Sequence, residues 1–152
     1  MKKYKLTDET TDVLGITLHR VKALKDFDDV KKGELGGYVE SERNLSQAGN
    51  CWVYGNAWVY DNAWVYDNAW VCGDAMICSD TDYMSIKGLG SEYRSTTIFR
   101  TKGKNIAVRC GCFYGTLTEF VDRVKEAHGN SKYAKEYLAL VDLVKIHFES
   151  EE

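Results

Sequence analysis

Between Gly49 and Met84 the chain repeats one six-residue phrase: GNCWVY, GNAWVY, DNAWVY, DNAWVC, GDAMIC and a degraded SDTDYM. Six is not a helical period. An α-helix would set residues six apart about 240° from one another, so Val53, Val59, Val65 and Val71 would scatter around its axis instead of forming a core. One long strand fails too, because Gly/Asp-Asn-Ala breaks it at every sixth residue. What buries every Val and Ala is a parallel coil of triangular section, with three hexads to a turn and corners at Gly/Asp-Asn.

Period-two alternation within each Trp-Val-Tyr triplet sends Val inward and both aromatic neighbours outward. Residues three hexads apart then stack at the strand spacing of about 4.8 Å, which sets Trp52 over Trp70, Tyr54 over Cys72 and Trp58 over Met76. The outward residues Trp52, Tyr54, Trp58, Tyr60, Trp64, Tyr66 and Trp70 are the candidate interaction surface. Three readings of them stay open. They stabilise neighbouring rungs, they are covered by a second subunit or by the C-terminal helices, or they bind a planar ligand, sugar or base directly. The side bearing Trp52, Tyr54 and Trp70 is expected to be covered in the working protein.

The repeat divides the chain into three parts: 1–30, 31–84 and 85–152. Residues 1–30 read as a hairpin and cap, with KYKL, a polar turn around Asp8-Glu9-Thr10, and VLGITLHRVKAL, in which Ile16, Leu18 and Arg20 share a face. In 31–84, Leu35, Val39 and Leu45 fall three hexads ahead of Val53, Ala57 and Ala63, which points to one irregular earlier coil. Residues 85–152 read as a small α+β unit of two strands, STTIFRT and NIAVRCGCF, followed by two helices. Thr116 and Glu119 form a capping box for the first and Gly129 ends it. Ser131 opens the second, whose stripe of Tyr133, Tyr137, Leu140, Val141, Val144 and Phe148 is too apolar for a free tail. That helix is expected to cap the open end of the coil.

Chemistry is sparse. The formal charge of −3 predicts neither nucleic-acid nor membrane binding by field alone. No apolar run reaches the roughly 18 residues of a membrane span, and no signal-peptide core follows Met1-Lys2-Lys3, so a cytoplasmic protein with no membrane partner is expected. An odd count of five cysteines argues against a disulfide framework. Cys110 and Cys112, with one residue between them, are expected to face the same way and are the candidate metal or redox pair; the other thiols read as structural. No cofactor is implied, and no catalytic residue stands out. Ser91, Arg94, Arg100, Arg109 and His128 form a candidate anion or nucleotide pocket around the glycine-bearing loop GLGSEYRS. His128, at a helix end beside Gly129, also fits a dipole-stabilising role.

The Val53-to-Ala57, Val59-to-Ala63, Val65-to-Ala69 and Val71-to-Ala75 spacing resembles that of hexapeptide-repeat left-handed β-helix proteins. The fold this implies is mainly β: a short left-handed parallel β-helix of about three coils, with the N-terminal hairpin and the α+β unit. Such proteins are often trimers, so a homo-oligomer, dimer or trimer, is expected. Many are acyltransferases, which need a base, commonly a His in or beside the coils. His19, His128 and His147 all lie outside the coils, and the three zinc-binding His of the carbonic anhydrases of this fold are not matched. Across most of the chain, LGGYVESERNLS, the GNAWVY repeats and RCGCFYGTLTEFVDRVKEAHG together resemble small proteins encoded by phages and prophages. That resemblance implies a setting and no activity. The leading expectation is a non-enzymatic binding protein, an anti-defence inhibitor of a host factor such as a bacterial immune system (anti-CRISPR or another type), acting on a host protein or complex or on a signalling nucleotide. The alternatives are a degenerate acyltransferase and a structural or virion-associated protein.

Overall fold

The computed structural model describes residues 1–149. Its centre is the repeat. Strand β4 (Trp52–Val53) lies parallel to β6 (Trp70–Val71), and β5 (Trp58–Val59) to β7 (Met76–Ile77), each pair offset by three hexads. On a third side Leu45 bridges Val65 in parallel. Val53, Val59, Val65, Val71 and Ile77 are fully buried in one cluster with Ala57, Ala63, Ala69 and Ala75. Each of these Val or Ile side chains contributes about 1.5–3 kcal/mol by burial. Four successive corners close in the same way, with Ala57 N–H donating to Tyr54 O, and likewise Ala63 to Tyr60, Ala69 to Tyr66 and Ala75 to Cys72. The residue after the acceptor has a positive φ each time: Gly55 (60°), Asp61 (54°), Asp67 (57°) and Gly73 (60°). A left-handed corner therefore explains why only Gly and Asp occupy that slot.

The first coil departs from the expected register. Strand β3 (Leu35–Val39) is parallel to β5 with Val39 opposite Val59, two positions beyond the three-hexad offset of the later rungs. Leu35 is consequently no core residue; it is half exposed, across from Lys22 of the hairpin. The two extra positions fall between Ser46, whose N–H reaches Val65 O, and Asn50, whose N–H reaches Asp67 O. They have a use. Gln47 accepts from the N–H groups of Lys3 (2.8 Å) and Tyr4 (3.2 Å) and donates to Tyr4 O (3.2 Å), which ties the chain's start to the coil. Gly36 and Gly37 run so close to the next rung that a β-carbon would stand 2.5 Å from Val53 O and 2.6 Å from Val53 Cγ1, respectively.

Strands β1 (Tyr4–Val13) and β2 (Ile16–Ala23) form an antiparallel hairpin, and β2 pairs antiparallel with β3, so the hairpin covers the free edge of the first coil. Its turn is at Leu14-Gly15, not at Asp8-Glu9-Thr10. Leu14 and Gly15 both take positive φ (52° and 83°), the requirement of a tight two-residue hairpin loop. The polar stretch is instead a bulge, where the register shifts between Leu6 and Thr10.

At the other end stands a sheet of four antiparallel strands, not two: β8 (Tyr83–Leu89), β9 (Arg94–Arg100), β10 (Ile106–Cys110) and β11 (Phe113–Thr116). Alternation divides its faces. Tyr83, Phe99 and Ala107 join the coil core, while Ile98, Val108 and Cys110 face two helices, α1 (Leu117–His128) and α2 (Lys132–Glu149). The sheet, and not α2, is thus the main cap of the last coil, pinned by an Ala75–Thr101 bridge and by Lys102 N–H on Asp74 O at 2.7 Å. Helix α2 reaches the coil through His147, whose Nε2 is 2.9 Å from Thr81 O. Thr116 and Glu119 cap α1 reciprocally, at 2.8 and 3.1 Å, and Gly129 closes it at φ 57°. No helix among the described residues is long and apolar enough to cross a membrane.

Candidate functional site

Strand β10 alternates Val108 and Cys110 toward the helices, so Arg109 between them points to the coil. There its guanidinium lies 4.5 Å from the ring of Trp70 and 5.7 Å from that of Tyr54. Trp70 is itself held, with Nε1 donating to Asn50 O at 2.8 Å and its backbone N–H to Thr97 Oγ1 at 3.1 Å. The platform is therefore rigid. Arg94, at the start of β9, folds across Gly111, where a β-carbon would stand 2.6 Å from its Nη1, and pairs with Glu92. Together with Lys87 of β8 these residues border an open cleft of about 300 Å³ between coil and sheet. Its other walls include Asn50, Asn68, Ser95, Thr97 and the pair Asp28 and Asp29.

Of the three cations here Arg94 is matched by Glu92, which leaves Lys87 and Arg109, with no carboxylate partner among the described residues, to meet an anion beside Asp28 and Asp29. Burial pushes the thiol of Cys72 up to about 11 and the phenol of Tyr54 up to about 12, against the opposing pull of the Arg109 charge. Both groups stay neutral at neutral pH. The cleft can hold a charge, but those two groups give it no nucleophile. Beside it, and sharing Asn68 and Lys87 as walls, is a smaller hollow of about 200 Å³ bordered by Tyr66, Asp67, Tyr83 and Ser85.

Of the anion-pocket candidates, the structure brings Arg94 and Arg109 to the cleft and disperses the others. Ser91 is exposed in the turn between β8 and β9, and in the same turn Gly90 N–H is already given to Glu136. Arg100 bonds Asp82 at 3.1 Å and lies over Phe148. His128 stacks on Tyr137, with ring centres 5.8 Å apart, at a separate dent of about 110 Å³ that Arg94 also borders. Cys110 and Cys112 both border that dent, but they are not a matched pair on one strand. Gly111 between them turns the chain at φ 59° from β10 into β11, which leaves Cys110 buried against Thr96 and Tyr137 and Cys112 exposed. Among the described residues no three His, Cys, Asp or Glu side chains are grouped to hold a metal.

The aromatic residues divide as well. Trp52 and Tyr60, expected on an interaction surface, are buried by the chain itself at 0% and 2% exposure. Tyr4 and Phe27 meet Trp52 edge-on at 6.2 and 5.2 Å, and Leu18 and Val13 of the hairpin cover Tyr60. Tyr54 and Trp70 are half-buried under Arg109, and Trp58 carries the ammonium of Lys102 at 3.9 Å. Trp64 and Tyr66 alone among the seven remain exposed, stacked on each other at 4.4 Å. Lys87, Asn50, Asn68, Asp28 and Asp29 are site residues that the sequence does not single out. Asn68 has the signal of a corner asparagine, and the two aspartates that of a solvated connection.

No protein-family model matches the chain. An uncharacterized acetyltransferase of Escherichia coli (strain K12), YdcK, is 36% identical over 62 residues, a match covering 36% of this chain and 19% of that protein. The chain thus spans about a fifth of its relative's length, and the similarity is partial.

Proposed function

We propose that the chain is a non-enzymatic binding protein whose cleft between coil and C-terminal sheet takes an anionic ligand. The coil, wound as a left-handed hexapeptide-repeat β-helix, is its scaffold. The observation that carries this reading is Arg109 laid on the face of Trp70, without a carboxylate partner among the described residues, with Lys87 and Arg94 opening on the same space. Such an arginine offers its donor fork to phosphate or carboxylate with little ordering left to do. A cleft of about 300 Å³ is at the lower bound of small-molecule sites, so a signalling nucleotide fits it better than a broad protein surface. The cytoplasmic, phage-encoded, anti-defence setting belongs to this reading, with sequestration of a host signal as the act. Self-association as a dimer or trimer belongs to the same reading.

The test is calorimetric titration with pyrophosphate at low and moderate salt. The expected result is saturable 1:1 binding per chain that weakens with salt and falls at least tenfold in Arg109→Gln; no binding at either salt would end the reading. One observation favours a second reading, a degenerate acyltransferase: the partial match to a protein described as an acetyltransferase. Against it, His19 has Nδ1 3.1 Å from Thr7 O, His147 has Nε2 2.9 Å from Thr81 O, and His128 stacks on Tyr137 away from the coil, so none of them faces the cleft. Release of free coenzyme A from acetyl-coenzyme A with a panel of amine and hydroxyl acceptors, abolished in a His128→Ala variant, would establish it.

A further inference from the structure

The cleft and the smaller hollow share two walls, Asn68 and Lys87, and differ in chemistry. Cations gather at the cleft. At the hollow stands Tyr66, exposed at 41% and backed by Trp64, whose ring is 4.4 Å away and inclined by only 23°. One face of Tyr66 is therefore supported by a second ring, which holds it as a fixed aromatic platform. Tyr83 anchors the base of the arrangement, with its hydroxyl donating to Trp64 O at 2.5 Å. Asp67 and Ser85 place an acceptor and a hydroxyl at the hollow's rim, and Asn68 sits between the two spaces.

Resting on the anion-cleft reading, we infer that the two spaces are one bipartite site for a nucleoside phosphate. The phosphate lies against Lys87, Arg94 and Arg109, and the base stacks on Tyr66 in the hollow. A base is planar, carries polar edges and stacks on an aromatic face whatever its sequence identity, which matches a platform rimmed by donors and acceptors. Asn68, with an amide that both donates and accepts, suits the sugar hydroxyls between the two ends. With Arg94 matched by Glu92 and with Asp28 and Asp29 among the walls, the charge fits one or two phosphates better than a polyphosphate chain.

The experiment titrates the full chain with ADP, GDP, CDP and UDP, and with pyrophosphate, following heat and Trp fluorescence, for the wild type and for Tyr66→Ala and Tyr66→Phe. At least one nucleotide should bind about tenfold or more tighter than pyrophosphate, the usual scale of one stacked base. Tyr66→Ala should erase that advantage and leave pyrophosphate within twofold, and Tyr66→Phe should restore it. If pyrophosphate binds as tightly as every nucleotide, or Tyr66→Ala weakens both alike, the bipartite site is overturned and the anion cleft stands. If nothing binds, the cleft falls and takes the inference with it. Should Tyr66→Ala disperse an oligomer in sedimentation while nucleotide affinity holds, the aromatic pair is a subunit contact and the inference is again overturned.

Discussion

Trp52 and Trp64 occupy the same slot of the hexad, two corners apart, and have opposite fates. Trp52 is sealed between Tyr4, Phe27 and the bare backbone of Gly36, with its Nε1 left without a hydrogen-bond partner among the described residues. Trp64 is 48% exposed and leans on Tyr66. The repeat therefore sets direction only, and what covers an outward ring is decided by the parts of the chain that do not repeat. The largest expected effect follows. Trp52→Ala should destabilise by about 3–5 kcal/mol, the range for a buried large aromatic, and Trp64→Ala by under about 1 kcal/mol. Urea denaturation of the two variants measures this; equal losses would mean that the hairpin is not a true cover.

The same comparison has a backbone form. Gly36 lies under the cover, where a β-carbon would collide with Val53 O at 2.5 Å, while Gly55 is at an open corner with its nearest atom 3.7 Å away. Gly36→Ala must push a rung apart and is expected to cost about 3 kcal/mol. Gly55→Ala meets only the strain of a positive φ and should cost about 1 kcal/mol. If Gly36→Ala folds as well as Gly55→Ala, the first coil is looser than its register implies.

How much of this the sequence disclosed follows the same division. The three-hexad register of Trp52 on Trp70 and Trp58 on Met76 was legible because a strict hexad admits one way to bury Val. The longer offset of the first coil, Val39 on Val59, was not, because Val39 and Leu45 meet Ala57 and Ala63 in one register and Val59 and Val65 in the other, and the insertion between Ser46 and Asn50 carries no mark. Strand β8 was hidden because it starts inside the last degraded hexad, and β11 because it leads straight into a capping box. At the site, Arg94 and Arg109 could be picked out by type and by their loop and strand. Their partners Asp28, Asp29, Asn50, Asn68 and Lys87 are scattered along the chain, and only the closing of the coil against the sheet brings them together. A two-residue turn, Gly111-Cys112, undid the reading of Cys110 and Cys112, since alternation holds only within a strand.

Cysteines extend the contrast to chemistry. Cys72 is on the covered side, where burial pushes its thiol from the usual 9 up to about 11. With the folded pKa raised, the unfolded chain loses its proton first, so this contribution is whole below pH 9 and disappears as pH climbs to about 11. The urea midpoint should fall across that window, and less steeply in Cys72→Ala. Lys3, whose ammonium is pushed to a lower pKa by burial, works in the opposite direction and is common to both proteins. In the same preparation at pH 8, iodoacetamide should label Cys112, the exposed thiol, well before Cys51 or Cys72. Early labelling of Cys72 would show that the covered side opens.

The smallest effect separates corner from cover most finely. Gly55, Asp61, Asp67 and Gly73 fill one slot with φ between 54° and 60°; at Gly73 a β-carbon would stand 2.3 Å from Tyr114 Oη, whereas Gly55 is open, so there Gly and Asp are alternatives under the same constraint. Asp61→Gly relieves the cost of a side chain at positive φ but gives the unfolded chain more freedom, and the two terms, each about 0.5–1 kcal/mol, oppose. Its backbone carbonyl keeps the bonds from Arg43 and Asn44 in either case. The net change should stay within about 0.5 kcal/mol, and Gly55→Asp should mirror it. Thermal melts of the single swaps and of the pair test this. A loss in Asp61→Gly well beyond that of an ordinary surface substitution would mean that its carboxylate has a particular role at that corner, and that the corners are not interchangeable.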